Sequence, residues 1–111
     1  MALVVGHSKY RNKRTMVDGL LFASKKEAKR WGELKLLEKA GEITGLRRQV
    51  MYRLDFNGVH ICKYFADFVY VEHYSLKSTT VVEDVKGVRT DVYKIKKKLM
   101  KACYGIEIRE I

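Results

Sequence analysis

Proline is absent from the 111 residues, and no low-complexity tract or internal repeat interrupts them. No linker is therefore visible, and the length suits a single domain. Only two cysteines occur, Cys62 and Cys103, without zinc-ligand or redox spacing, and they read as buried, reduced thiols of a cytoplasmic protein. His7, His60 and His73 have no partners at metal-ligand spacing. Neither a phosphate-cradling glycine loop nor a nucleophile elbow is present. No apolar run approaches membrane-spanning length, and residues 1–6 are too short for a secretory signal, so no membrane association is expected.

What the chain has in excess is positive charge. The 23 Lys and Arg outnumber the 13 Asp and Glu, for a formal charge of +10. This balance says nothing about fold, but it favours polyanionic partners. With 47% hydrophobic and 32% charged residues, the composition is that of an ordinary globular domain able to bury a core without staples.

Residues 1–15 form a basic arm around His7-Ser-Lys-Tyr-Arg-Asn-Lys-Arg14, expected to be extended or poorly ordered without a ligand. Residues 16–111 are expected to fold as one α/β domain. Asp18-Gly19 marks a turn before the short apolar stretch Leu20-Leu21-Phe22. Ser24 stands three residues before Glu27, a capping box, and Ala28, Trp31, Leu34 and Leu37 follow at helical spacing, so a helix is predicted over 25–40. Three strand-like runs come next, at 46–54, 59–71 and 79–86, with Asn57-Gly58 as a hairpin turn between the first two. The middle run is apolar on both alternating sets, Ile61, Phe65 and Val69 on one and Tyr64, Ala66, Phe68 and Tyr70 on the other. Such a strand belongs inside a sheet covered on both faces. A second helix is predicted over 91–104, with Val92, Ile95, Leu99 and Cys103 as its buried stripe, and 106–111 alternates as a last strand. A helix between the third and fourth strands permits a parallel crossover, so the order α-β-β-β-α-β predicts a mixed four-stranded sheet flanked by helices.

Asp67 interrupts the apolar middle strand, while Asp84 and Lys86 end the next. Strand alternation puts Asp84 and Lys86 on one face and Glu83 and Val85 on the other, so Asp67 and Asp84 converge if their strands are neighbours. Two unpaired carboxylates in a half-buried sheet repel, and a divalent cation resolves the repulsion; hard oxygen ligands suit Mg²⁺ or Mn²⁺. Lys86 would stand ready to position a water or to stabilise charge at phosphorus, and Gly87 lets a phosphate backbone approach the strand end.

That arrangement resembles the PD-(D/E)XK nuclease superfamily: the same element order, an Asp in the second strand, and Asp84-Val85-Lys86 in the third. More narrowly, Lys9-Tyr-Arg-Asn-Lys, Ser24-Lys-Lys-Glu-Ala-Lys-Arg, Ala66-Asp-Phe and Val82-Glu-Asp-Val-Lys-Gly are similar to a family of small phage proteins predicted to be endonucleases of that class. The likeness runs over nearly the whole chain. It implies a restriction-endonuclease-like core, and a Mg²⁺ (or Mn²⁺) held by Asp67, Asp84 and a strand carbonyl, that of Val85. It also implies Lys86 as catalytic lysine and Glu27 as a further acid of the site. The proline that opens the superfamily motif is replaced here by Ala66.

Several positions keep two readings. Glu27 is either a site acid or a capping-box glutamate, and Asp67 is otherwise a bulge residue paired to a cation. Asp84 and Lys86 are otherwise a solvated strand end, and Glu83 replaces Asp84 if the register slips by one. Gln49 reads as an exposed strand residue rather than a site residue, and the tyrosines as core. Phosphate contacts are expected from Lys9, Arg11, Lys13 and Arg14 of the arm and from Lys94, Lys97, Lys98 and Lys101 of the second helix, which are otherwise a solvated face. The expected activity is phosphodiester hydrolysis on DNA, by a phage-type endonuclease acting as a homodimer. A junction resolvase or nicking enzyme is the favoured subtype, in the cytoplasm of the host if phage-encoded. The alternatives are a non-enzymatic basic DNA-binding module and a ribonuclease of the same mechanism.

Overall fold

Ser24 opens the first helix as the capping box requires. In the computed structural model, which describes residues 14–111, its backbone is extended and its hydroxyl accepts the Glu27 N–H at 3.1 Å. Lys9, Arg11 and Lys13, with the rest of the arm before Arg14, lie outside the described residues. Ahead of the helix, β1 (Thr15–Val17) and β2 (Leu20–Phe22) pair as a small hairpin. Its turn residues Asp18 and Gly19 both have positive φ, 52° and 75°, as a type I′ turn demands. Strands of three residues are too short to show alternation, so only their turn was legible. Helix α1 then runs Lys25–Lys39.

β3 (Ile43–Phe56) and β4 (Val59–Tyr74) form a long antiparallel hairpin through the Asn57-Gly58 turn, and β5 (Lys77–Asp84) pairs antiparallel with β4. Helix α2 (Asp91–Tyr104) carries the chain to β6 (Arg109–Glu110), which pairs parallel to β5. The result is a mixed four-stranded sheet ordered β3-β4-β5-β6, with α1 and α2 on opposite faces. β6 is shorter than the 106–111 run, because Ile106 and Ile108 pack into the α2-side core instead of pairing.

The two cores are not divided by simple alternation. On β4, Tyr64 and Ala66 pack on the α2 side, whereas Phe68 and Tyr70, also even-numbered, pack on the α1 side. On β3, Leu46 packs on the α1 side and Val50, Tyr52 and Leu54 on the α2 side. Both strands therefore exchange faces at one rung, where Gln49 and Asp67 interrupt the pairing between Arg48↔Phe68 and Val50↔Ala66. Gln49 has φ 52°, a left-handed backbone inside a strand, and that local twist makes the exchange possible. Beyond the switch the hairpin is covered on one face only. Ile61 and Phe65 are 49% and 52% exposed, so the expected cover on both faces holds only for the half of β4 beside α1.

The expected stripe of α2 is also corrected. Tyr93 and Met100 are the buried residues, with Leu99 packed beside them, while Val92 and Ile95 are exposed. The helix is rotated so that the Tyr93 hydroxyl reaches Glu110 of β6 at 2.8 Å. Cys62 and Cys103 are free, as expected, but half-buried rather than buried. Among the described residues no helix is long and apolar enough to cross a membrane.

On the α1 face Glu83 is completely buried, and its carboxylate is held by Arg30 through Nε at 2.9 Å and Nη2 at 2.6 Å. The Tyr70 hydroxyl also donates to it. Arg30→Met would leave this charge buried without a cation. A loss of about 3–5 kcal/mol is expected in urea unfolding, and a loss below ~1 kcal/mol would contradict the role given to the pair.

Candidate functional site

The β4–β5 ladder ends at Phe68↔Glu83, and the next rung in that register sets Asp67 opposite Asp84 where the strands part. There the Val85 N–H donates to Asp67 Oδ2 at 2.8 Å. Asp84, 2% exposed, accepts the Tyr64 hydroxyl, and Lys86 Nζ stands 3.1 Å from its Oδ1. The Lys86 ammonium lies 4.2 Å from the centre of the Tyr93 ring, a cation–π seat that fixes a flexible side chain. Lys26 of α1 donates to the Lys86 carbonyl at 3.3 Å.

Glu27, 4% exposed, enters from the first turn of α1. Its Oε1 accepts the Ala23 N–H at 3.3 Å, and its Oε2 accepts the Gln49 amide at 3.2 Å, with Arg48 Nη2 4.0 Å away. Glu27 thus ties the chain before the helix through the Ala23 N–H rather than the Ser24 backbone of a full capping box, and it faces the acidic cluster. Gln49 donates in addition to Asp67 Oδ1 at 3.1 Å. Glu27, Asp67 and Asp84 are coupled through their charges. Burial, and then the charges of Asp84 and Glu27, push the Asp67 carboxyl up to about 7, although the Val85 N–H favours its ionised form. Burial also raises Glu27, opposed by the Ala23 N–H, Arg48 and Gln49. Burial and the adjacent Asp84 hold the Tyr64 hydroxyl far above its usual range, so it remains a proton donor.

Two clefts are lined by members of this cluster. One, of about 280 Å³, is lined by Tyr64, Phe65, Asp67, Asp84, Lys86 and Lys96. The other, of about 380 Å³, is lined by Arg14, Leu21, Glu27, Arg48 and Gln49. Arg48 is held over the Phe22 ring at 4.3 Å and donates to the Leu21 carbonyl at 3.0 Å.

Asp67, Asp84, Lys86 and Glu27 are thus brought together, with Val85 beside them through its N–H. Glu83 is excluded as an alternative ligand, since it faces α1 and is spent on Arg30. Nor is Asp67 paired to a cation; among the described residues it makes no ion pair, and an amide and a backbone N–H meet it instead. Arg14 joins the site's edge. Lys94, Lys97, Lys98 and Lys101 line a separate cleft of about 490 Å³ on the outer side of α2. There Lys97 pairs with Glu110 at 3.2 Å, Lys101 with Glu107, and Lys94 lies 4.0 Å from Asp91, so only Lys98 of the four makes no ion pair among the described residues. Lys96, not singled out from the sequence, is the α2 lysine that faces the carboxylates. Tyr64 was likewise missed, and Gln49 is the exposed strand residue expected, yet its amide also reaches two acids of the site. Nothing in their spacing marks them, because each acts across strands.

Among the described residues no set of three or more His, Cys, Asp or Glu side chains stands arranged to hold a metal ion. Asp67 and Asp84 supply two hard carboxylates whose mutual repulsion a divalent cation would relieve. Such an ion fits the pair if a main-chain carbonyl and water complete its shell.

The sequence model of one family matches residues 7–110. The chain belongs to the DUF1064 family. That family is described as a protein of unknown function, and no curated protein or solved structure matches the chain. The DUF1064 match takes in the basic arm from His7 and every carboxylate of the cluster.

The raised carboxyl of Asp67 carries a pH signature. Its folded value, about 7, lies above that of the unfolded carboxyl, so its contribution to stability is full in acid and lost as pH rises through about 7. In EDTA, Asp67→Asn should therefore raise Tm by several degrees at about pH 8 and by much less at about pH 5. Equal increments at the two pH values would contradict the burial and charge crowding described.

Proposed function

We propose that this protein is a metal-dependent endonuclease that hydrolyses phosphodiester bonds in DNA, on a restriction-endonuclease-like core of the PD-(D/E)XK kind. One observation carries the reading: two carboxylates, Asp67 and Asp84, meet where the central strands part, with Lys86 Nζ 3.1 Å from Asp84. Carboxylates facing a polyanion make sense only with a cation between them. Asp67, Asp84 and the Val85 carbonyl would hold Mg²⁺, with Mn²⁺ as a substitute. When bound, the ion would polarise a phosphate oxygen and lower the pKa of a water.

The chain's own groups account for the remaining work. Lys86, seated on Tyr93, holds a fixed positive charge at the mouth of the cleft, where it can orient the attacking water or meet charge developing on phosphorus. Tyr64 keeps Asp84 oriented by donating to it. Glu27 adds a third negative charge behind Asp67, which strengthens the demand for a cation. Arg14 and Arg48 on one side and Lys96 on the other supply positive charge for the flanking backbone. A homodimer presenting two such sites would suit branched or doubly nicked DNA.

One observation favours a second reading, a basic DNA-binding module without activity. The Gln49 amide already engages two of the three acids, and no three-ligand set stands formed among the described residues. Cleavage of supercoiled plasmid and of a four-way junction, in Mg²⁺, Mn²⁺ and EDTA, separates the two. The nuclease reading expects metal-dependent cutting that falls at least about 100-fold in Asp84→Ala and Lys86→Ala. Salt-sensitive binding, indifferent to metal and without cutting of either DNA, would leave the binding module instead.

A further inference from the structure

Gln49 lines one cleft and hydrogen-bonds an acid of each, Glu27 and Asp67, and its conformation is unusual. It has φ 52° in the middle of β3, a left-handed backbone that costs a non-glycine side chain about 1–3 kcal/mol. Glycine would adopt the same backbone without that steric cost, and its neighbour Gly45 does so at φ 65°. Backbone shape alone therefore does not account for a long carboxamide here. The carboxamide does have a particular use: both of its amide contacts go to carboxylates, Glu27 Oε2 at 3.2 Å and Asp67 Oδ1 at 3.1 Å. An NH₂ group has two protons to donate, so it satisfies one oxygen on each acid while adding no charge. With the Val85 N–H on Asp67 Oδ2, both oxygens of Asp67 are tethered, and the plane of its carboxylate is fixed beside Asp84.

We propose that Gln49 is a positioning residue for a divalent-cation site: its carboxamide spaces Glu27 from Asp67 and holds the Asp67 carboxylate in the orientation that binds the ion with Asp84. This rests on the nuclease reading of the cluster. The strained turn at Gln49 brings the amide nitrogen between the two acids, and each hydrogen bond restricts rotation of a carboxylate that would otherwise turn from its neighbour's charge. Groups that orient a metal ligand in this way are commonly worth about 10–100-fold in metal affinity.

The test is Mn²⁺ binding to the full chain, followed by the electron paramagnetic resonance signal of the free ion. Wild type is compared with Gln49→Gly, Gln49→Met and Asp84→Asn, with thermal melts of each in EDTA. Gln49→Gly relieves the backbone strain and removes the amide, whereas Gln49→Met keeps the chain length and replaces the carboxamide by an apolar thioether that cannot donate. The expected result is Mn²⁺ binding weakened at least about 10-fold in both Gln49 variants, with Gln49→Gly melting no lower than wild type, and binding abolished in Asp84→Asn. Wild-type affinity retained in either folded Gln49 variant, with binding lost in Asp84→Asn, would overturn the positioning role and leave the metal site standing. Absence of Mn²⁺ binding by wild type would overturn both.

Discussion

The pleat of a strand sends successive side chains to opposite faces, and this sheet reverses that assignment at a single rung. On one side of Gln49 and Asp67, Leu46, Phe68 and Tyr70 face α1; on the other, Val50, Tyr52, Leu54, Tyr64 and Ala66 face α2. Each helix thereby covers a different half of the hairpin, and a notch is left where the two cores meet. Asp67 lies in that notch. The β4–β5 register, carried one rung further, sets it opposite Asp84, and residues directly opposite each other share a face. The left-handed backbone of Gln49 makes the exchange possible, and the same residue then contacts the carboxylate on the opposite strand.

Two adjacent carboxylates on β5 show how environment separates structural charge from reactive charge. Glu83 and Asp84 are both essentially inaccessible, 0% and 2% exposed, and alternation points them to opposite faces. Glu83 meets a bidentate arginine and a tyrosine hydroxyl, so its charge is matched within the fold. Asp84 meets one lysine and one hydroxyl, with two further acids close enough to raise each other's affinity for protons. The α2 side of the strand end is thus left with more negative charge than its protein partners neutralise. An otherwise strongly basic chain brings three acids together here, and a bound cation would complete the balance.

Much of this was legible in the sequence. Helix α1 and the Asn57-Gly58 hairpin were fixed by local signals, a capping box and a type I′ dipeptide, which act over a few residues and need no tertiary help. Asp67, Asp84 and Lys86 stood out because each broke an apolar pattern, and alternation on β5 was enough to separate Asp84 from Glu83. The face switch was not legible, since it depends on one residue's positive φ, and it spoiled the reading of β4 as covered throughout. The stripe of α2 was misread for a related reason. Val92 and Ile95 fit helical spacing, but the rotation that buries Tyr93 and Met100 is set by β6 and by a tyrosine hydroxyl seeking Glu110. Gln49, Tyr64 and Lys96 belong to the site through contacts across strands and between layers, which periodicity along the chain does not encode. Four lysines on one helix suggested a phosphate track, yet nearby acids pair with three of them, and Lys96 alone is turned to the cleft.

Asp67 and Asp84, set opposite each other beside the face switch, are proposed to bind a divalent cation between β4 and β5. Substoichiometric Mn²⁺ added to ¹⁵N-labelled protein, with loss of amide signals read residue by residue, tests that proposal most directly. Selective broadening is expected at Gln49, Asp67, Phe68, Val85 and Lys86, with Asn57, Lys101 and Glu107 little affected. Broadening centred instead on Asp55 or Glu107, or spread evenly over the surface, would contradict it.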